Sequence, residues 1–326
     1  MKRKINMSNL KSYVIFLILI AMVLFFGIMT PRFFAFSNFM NILRQSAMMG
    51  VTAVGVMYVL LIGGIDLSVG SQVAFVNILC AFLMARRGWP ILPAVLATIL
   101  CSALSGIVMG LLVTKCKIPP FIATLAFFNI LKGVAQTISG GLPITGFPES
   151  FKLVGQGAIG PVPVPVAVMI GMFIVGGFIL NQTYFGRYLY AIGSNEEAAR
   201  LSGVPVSAIK CAVYAISSVC ACLGGIITLS RLNSGSPQTG NGFEFEVITA
   251  LVLGGVSISG GYGKISGAIV GVLIMGVLSN GLVMLNIDEY TQTIISGIVL
   301  ALAVSIDCLQ RESAKKKVLI SEYQEK

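Results

Sequence analysis

Apolar runs close to a membrane thickness in length recur along almost the whole chain, and nothing else in the sequence restricts its fold so severely. They fall at 13–30, 46–62, 72–84, 91–113, 121–138, 162–180, 211–230, 247–258, 265–285 and 291–306. A helix needs about 20 apolar residues to cross roughly 30 Å of hydrocarbon. The runs lack the alternation of about ten residues per strand that marks an outer-membrane barrel. In lipid a helix satisfies its own backbone donors and acceptors, so the spanning elements read as helices. With 56% hydrophobic and only 10% charged residues among 326, the chain has more apolar surface than one water-soluble core can hide. The expected fold is an all-α polytopic membrane protein with about ten transmembrane or re-entrant helices.

Lys2, Arg3, Lys4 and Lys11 precede the first run, as in a signal peptide, but no small-residue cleavage site follows before Pro31 and Arg32. It reads as a retained anchor. Cytoplasmic loops of membrane proteins carry excess Lys and Arg. An N-in, C-in arrangement places Lys115, Lys117, Arg187, Arg200, Lys210, Lys264 and the basic tail inside, against Arg32, Arg44, Arg86, Arg87, Lys152 and Arg231 outside. Arg86 with Arg87 is the discordant pair, so 72–84 is either re-entrant or marks a miscounted crossing. The net charge of +10 then reflects topology and anionic lipid, because the basic residues are scattered among loops and form no nucleic-acid patch. Residues 1–310 read as one transmembrane domain with a cytoplasmic loop at about 184–210, and 311–326 as a charged cytoplasmic tail.

Seven cysteines and no histidine leave neither a disulfide framework nor a metal site, and they remove the commonest acid-base residue. Two glycine-interrupted segments stand out instead: Gly63-Gly64-Ile65-Asp66-Leu67-Ser68-Val69-Gly70 and Gly254-Gly255-Val256-Ser257-Ile258-Ser259-Gly260-Gly261. They align without gaps, which hints at a parallel internal repeat. Each breaks a helix near the membrane boundary. One reading is a cytoplasmic turn with Asp66 or Ser68 capping the next helix; the other is a gate lining a polar pathway. Small pairs, Gly106 with Gly110 and Gly267 with Gly271, favour close helix packing.

Between two apolar runs lies Ser194-Asn195-Glu196-Glu197-Ala198-Ala199-Arg200-Leu201-Ser202-Gly203. Ser194 is the expected N-cap, with Glu197 closing a capping box, Glu196 and Glu197 at the positive end of the dipole, and Gly203 before Pro205 as the stop. Such a stiff charged helix has the character of a docking handle.

These three segments, in this order, together with Phe121-Ile122-Ala123-Thr124-Leu125 and the run at 240–244, resemble the membrane permease subunit of ribose-type ABC sugar importers over nearly the whole chain. The resemblance implies ABC permease architecture, with two permease subunits, identical or sister, and a path at their interface. It also implies an ATPase on the cytoplasmic side that binds ATP and Mg, and an extracytoplasmic sugar-binding protein outside. Ser194, Glu196, Glu197, Ala198, Ala199, Arg200 and Gly203 would form the helix that couples to the ATPase. The substrate implied is a ribose-like pentose or related sugar, with nucleosides or branched-chain amino acids as the alternative.

No ATP site is expected in this chain. Gly263-Lys264 fails as a P-loop because Ile258 and Ile265 stand where glycine and Ser or Thr are required. An ion-coupled secondary transporter needs ionisable groups within the membrane. The runs contain Lys132 and no central carboxylate. Lys132 lies near the outer end of its run, where its stem can snorkel. Glu244 and Glu246 are assigned to an outer loop, 231–246, which with 139–161 should be the largest exposed surface. For the sugar path the intramembrane polar candidates are Asn77, Thr124, Asn129, Gln136 and Asn280, with Phe127 and Phe128 as faces for C–H surfaces; interhelical bonding is the competing role. The charge bias predicts that Ser194→Cys reacts with an impermeant thiol reagent only from the cytoplasmic side.

Overall fold

A computed structural model describes residues 7–324, with side chains from 15 to 309. Lys2, Arg3 and Lys4 therefore lie outside the described residues. The helices that carry the apolar runs are α1 (Met7–Met29), α2 (Phe36–Leu61), α3 (Val69–Ala81), α4 (Ile91–Thr114), α5 (Pro120–Ser139), α7 (Val164–Gln182), α10 (Val206–Leu232), α11 (Phe243–Leu253), α12 (Ile265–Met284) and α13 (Glu289–Gln324). Three short helices lie between them: α6 (Lys152–Gln156), α8 (Tyr184–Ser194) and α9 (Glu196–Leu201). Each of the apolar runs overlaps one of these helices, although 247–258 continues past the end of α11 at Leu253. Eight helical stretches among the described residues are long and apolar enough to cross a membrane, with the shorter apolar stretch Ile15–Met29 besides. The chain is a multi-pass membrane protein. A π turn (Phe82–Arg86) extends α3, so that the stretch Val69–Arg86 is one of those eight.

The packing runs opposite to that of a soluble protein. Along α4 the small residues Ala94, Thr98, Ser102, Gly106 and Gly110 recur every fourth position and are buried, while Leu92, Leu96, Leu100 and Leu104 face outward. Small side chains let backbones approach, and large ones meet lipid. A Cβ on Gly106 would lie 2.5 Å from the Tyr214 carbonyl oxygen, and one on Gly110 2.6 Å from Cys211 Cα, so α4 lies directly on α10. A buried polar chain ties the same region. Gln72 Nε2 donates to Ser102 Oγ (2.6 Å), which donates to the Ser218 carbonyl (2.7 Å), and Ser105 Oγ donates to Gln72 Oε1 (3.0 Å). Helices α2 and α10 are mostly buried and form the core, whereas α13 exposes almost its whole apolar length.

Two helices begin inside the bundle. The linker between α2 and α3 folds back so that Ser217 Oγ of α10 donates to Asp66 Oδ2 at 2.7 Å. Ser217 is about 16 Å along α10 from its start at the usual rise per residue. From the opposite end, the segment after α10 descends along α3: Gly235 packs on Asn77 and Ala81, and Gly240 on Gly70 and Val73. Helix α11 starts there, after Gly242 in the left-handed region (φ 76°). The N-termini of α3 and α11 thus meet within the bundle.

This corrects the expectation of an open outer loop at 231–246, since Glu244 is buried. The 139–161 loop is largely exposed, as expected, but is tied to α10. Ser230 Oγ donates to the Phe151 carbonyl (2.6 Å) and accepts from Gly155 N (2.7 Å), and Ile144 forms a bridge with Gly235. Backbone groups near lipid need internal partners, and folding the loop onto α10 supplies them. A two-residue hairpin, β1 (Ala158–Ile159) with β2 (Val162–Pro163), completes this cap. Beyond α12, Asp288 caps α13 by accepting from Thr291 N (3.0 Å) and Thr291 Oγ1 (2.7 Å), hydrogen bonds that hold its carboxyl below the ordinary range.

Replacing Gly106 with Leu should force α4 off α10. The expected cost is about 1–3 kcal/mol, read as a lower unfolding temperature of the detergent-purified protein, with Leu100→Ala on the outward face nearly neutral.

Candidate coupling site

Helices α8 and α9 form a hook between α7 and α10. Thr183 starts α8, its Oγ1 accepting from Gly186 N at 3.3 Å. The helix is amphipathic, burying Leu189 and Ile192 and leaving Tyr184 exposed, with the Arg187 guanidinium 4.4 Å from the Tyr184 ring centroid. Nothing in the expected pattern anticipated α8; the spacing of Leu189 and Ile192 beside Thr183 was its signal. Asn195 alone joins α8 to α9. Its extended backbone (φ −159°, ψ 105°) and its Oδ1, which accepts from Ala198 N at 2.9 Å, make it the N-cap. Ser194 is therefore not the cap, because α8 continues through it. The register also denies Glu197 the capping-box position.

The acidic residues act elsewhere. Glu196 accepts from Lys210 Nζ of α10 at 2.6 Å, clamping the hook to the next spanning helix, and pairs with Arg200 at 3.3 Å. Glu197 is exposed and 3.7 Å from Arg200. Ala199 is buried against the bundle, and Ala198 faces out. Gly203 ends α9 with φ 84°, and Val204 N returns to the Ala199 carbonyl at 3.1 Å.

The inner end of the hook meets both glycine breaks. Gly261 N donates to the Leu61 carbonyl at 2.9 Å, so the break after α11 is bonded to the end of α2. A Cβ on Gly260 would lie 2.7 Å from Gly63 N and 3.1 Å from Gly193 Cα, and one on Gly261 3.0 Å from Ser194 Oγ. Gly63 (φ 74°) and Gly260 (φ 87°) hold left-handed conformations that other residues resist. Tyr190 Oη of α8 donates to the Gly263 carbonyl at 2.6 Å. Three distant stretches of sequence thus touch, mostly through backbone, with the Tyr190 hydroxyl adding a side-chain bond.

The other marked residues of the breaks serve neighbouring contacts. Gly64 packs under the Tyr214 hydroxyl, Gly254 against Gly267, and Gly255 turns with φ 80°. Asp66 Oδ1 accepts from Ser68 N (3.0 Å) and Ser68 Oγ (2.6 Å), an Asx turn leading into α3, while Ser68 makes no side-chain cap of its own. Gly70 leaves room for the Glu244 carboxylate.

The polar candidates for a pathway divide into two groups. Asn77 Nδ2 donates to the Val73 carbonyl within α3 (3.0 Å) and across to the Gly225 carbonyl of α10 (3.1 Å), and Thr124 Oγ1 of α5 donates to the Ile65 carbonyl in the linker before α3 (3.1 Å), so both serve the packing. Asn280 and Phe127 are also buried. On the outward side of α5 lie Phe128, Asn129, Lys132 and Gln136, the Lys132 ammonium 5.5 Å from the Phe128 ring centroid. Sequence reasoning assigned Glu244 to solvent. The segment that carries it inward is irregular, and only the glycine contacts of the folded chain reveal its depth.

The sequence model of the family described as "Branched-chain amino acid transport system / permease component" matches residues 38–304. The chain belongs to that family. It is 42% identical to the ribose import permease protein RbsC of Escherichia coli (strain K12), over 91% of this chain and 92% of that protein. Bacillus subtilis (strain 168) RbsC is 41% identical over 90% and 91%. The L-arabinose transport system permease protein AraH of Escherichia coli (strain K12) is 37% identical over 90% and 88%. No solved structure matches the chain significantly. In this permease the helix hook and the glycine breaks lie within the stretch shared with those relatives.

Gly260→Val combines a strained φ with a collision against Gly63. Transport is expected to fall at least tenfold, measured as solute uptake normalised to membrane-inserted protein. Asn195→Ala should cost α9 about 1 kcal/mol of capping energy, with a lesser fall in the same assay.

Proposed function

We propose that this permease is the transmembrane subunit of an ATP-driven importer that moves a monosaccharide, a ribose-like pentose or a related sugar, inward by alternating access. The observation that carries the reading is end-to-end similarity to a ribose import permease, 42% identity over 91% of the chain, with arabinose and xylose permeases also among its relatives. Two permease subunits enclose the path, a separate ATPase that binds ATP and Mg docks on the α8–α9 hook, and a sugar-binding protein delivers substrate from outside. The N- and C-termini lie in the cytoplasm, an orientation that the Lys and Arg bias supports.

The geometry gives the coupling a physical route. A short capped helix with exposed Glu197 and Arg200 offers a charged surface to a partner. Its rear is held by the Glu196–Lys210 bond and by backbone contact with both glycine breaks. Packed interiors transmit displacement because they resist compression. A push on α9 therefore shifts α2, α10 and the turn between α11 and α12 together.

A second reading, import of a branched-chain amino acid, is favoured by the description of the family itself. The test is uptake into vesicles holding this chain, with the ATPase and binding protein present or absent and with either trapped ATP or an imposed ion gradient. Ribose uptake that needs ATP and both partners is expected. Leucine uptake would select the second reading, and gradient-driven uptake by the chain alone would reject both. In the same vesicles Glu197→Lys should abolish uptake and ATPase association without loss of membrane insertion; normal uptake by that variant would remove α9 from the docking surface.

A further inference from the structure

Where α3 and α11 begin side by side, the chain brings a carboxylate, an ammonium and an aromatic face together without joining them. Glu244, in the first turn of α11, is 4% exposed, and its Oε2 has no hydrogen-bond partner. It points at Gly70 of α3, where any side chain would overlap it. Lys132 of α5 is within electrostatic reach of this carboxylate, yet among the described residues it forms no ion pair with it. The Lys132 ammonium stands over the Phe128 ring instead. Beside it Gly133 opens on empty space, with nothing within 4 Å of where its Cβ would be, and Asn129 and Gln136 lie on the same exposed side.

A buried carboxylate oxygen with no donor is costly, and a ligand hydroxyl can supply that donor. Neighbouring hydroxyls of a sugar match such an unjoined pair: one donates to the carboxylate and the other accepts from the ammonium. The Phe128 face suits the C–H side of a sugar ring, and the amides of Asn129 and Gln136 suit further hydroxyls. We propose that Glu244, Lys132 and Phe128 form a monosaccharide contact site on the transport path. The assignment rests on the sugar-import reading above and adds the residues that meet the sugar within the membrane.

The test uses the full complex in proteoliposomes, with its ATPase and binding protein, and labelled ribose as the probe. Glu244→Gln, Lys132→Met and Phe128→Leu are each expected to lower ATP-driven ribose uptake at least tenfold at an unchanged amount of assembled complex, while Phe128→Tyr keeps most of it. The double variant Lys132→Met/Glu244→Gln should stay as low as the single variants. Recovery of wild-type uptake by the double variant would mean a structural charge pair and overturn the site, as would wild-type rates in the single variants. If a Glu244 variant fails to assemble, the comparison of Leu with Tyr at the half-exposed Phe128 decides: equal uptake overturns the site. Failure of wild-type complex to take up ribose, or its uptake of leucine instead, sinks the importer assignment before any variant is read.

Discussion

The contact on which the rest of this molecule depends is made by backbone. The Gly261 amide donates to the Leu61 carbonyl, and Gly63, Gly193 and Gly260 crowd around that bond. A single side chain at this junction would separate the end of α2, the end of α8 and the turn after α11. With none present, helices from opposite ends of the sequence and the hook between α7 and α10 share one point of contact. Positive φ at Gly63 and Gly260 and close approach at Gly193 are separate demands that glycine meets together. Lys210, bonded to Glu196, adds the only charged tie from the hook to a spanning helix among the described residues.

The second constraint is the solvent. Lipid offers no hydrogen bonds, so a helix that starts inside the bundle needs partners for its first amides and for the chain leading to it. Asp66 meets this for α3 by accepting from Ser68 and Ser217. For α11 the approach chain lies along α3, and Glu244 occupies the first turn, where the helix dipole favours negative charge. The carboxylate missed in the sequence and the lysine assigned to snorkelling thereby come within electrostatic reach of each other. An isolated intramembrane lysine is tolerable near a helix end.

The apolar runs, the small-residue pairs on α4 and α12, the position of the charged helix α9 and its stop at Gly203 were all readable before folding. Each is a local property: hydrophobic length, spacing and the conformational demand of one glycine. What was misread also has a local cause. Ser194 and Asn195 are nearly equivalent caps by composition, and the choice fell to Asn195 because α8 runs through Ser194. The 231–246 segment is polar and glycine-rich, which is the signature of a solvent loop. Gly240 fitting on Gly70 is what draws it inward.

By itself, then, the sequence determined that this chain crosses a membrane as helices, where those helices lie, and that a charged helix stands between two of them, because apolar length and capping chemistry act over a few residues. Which glycines touch, which polar residues face one another and how deep α3 and α11 begin were decided by the tertiary structure alone. Those features arise from contacts between residues far apart in sequence, such as Asp66 with Ser217 at 2.7 Å, and no local periodicity encodes them.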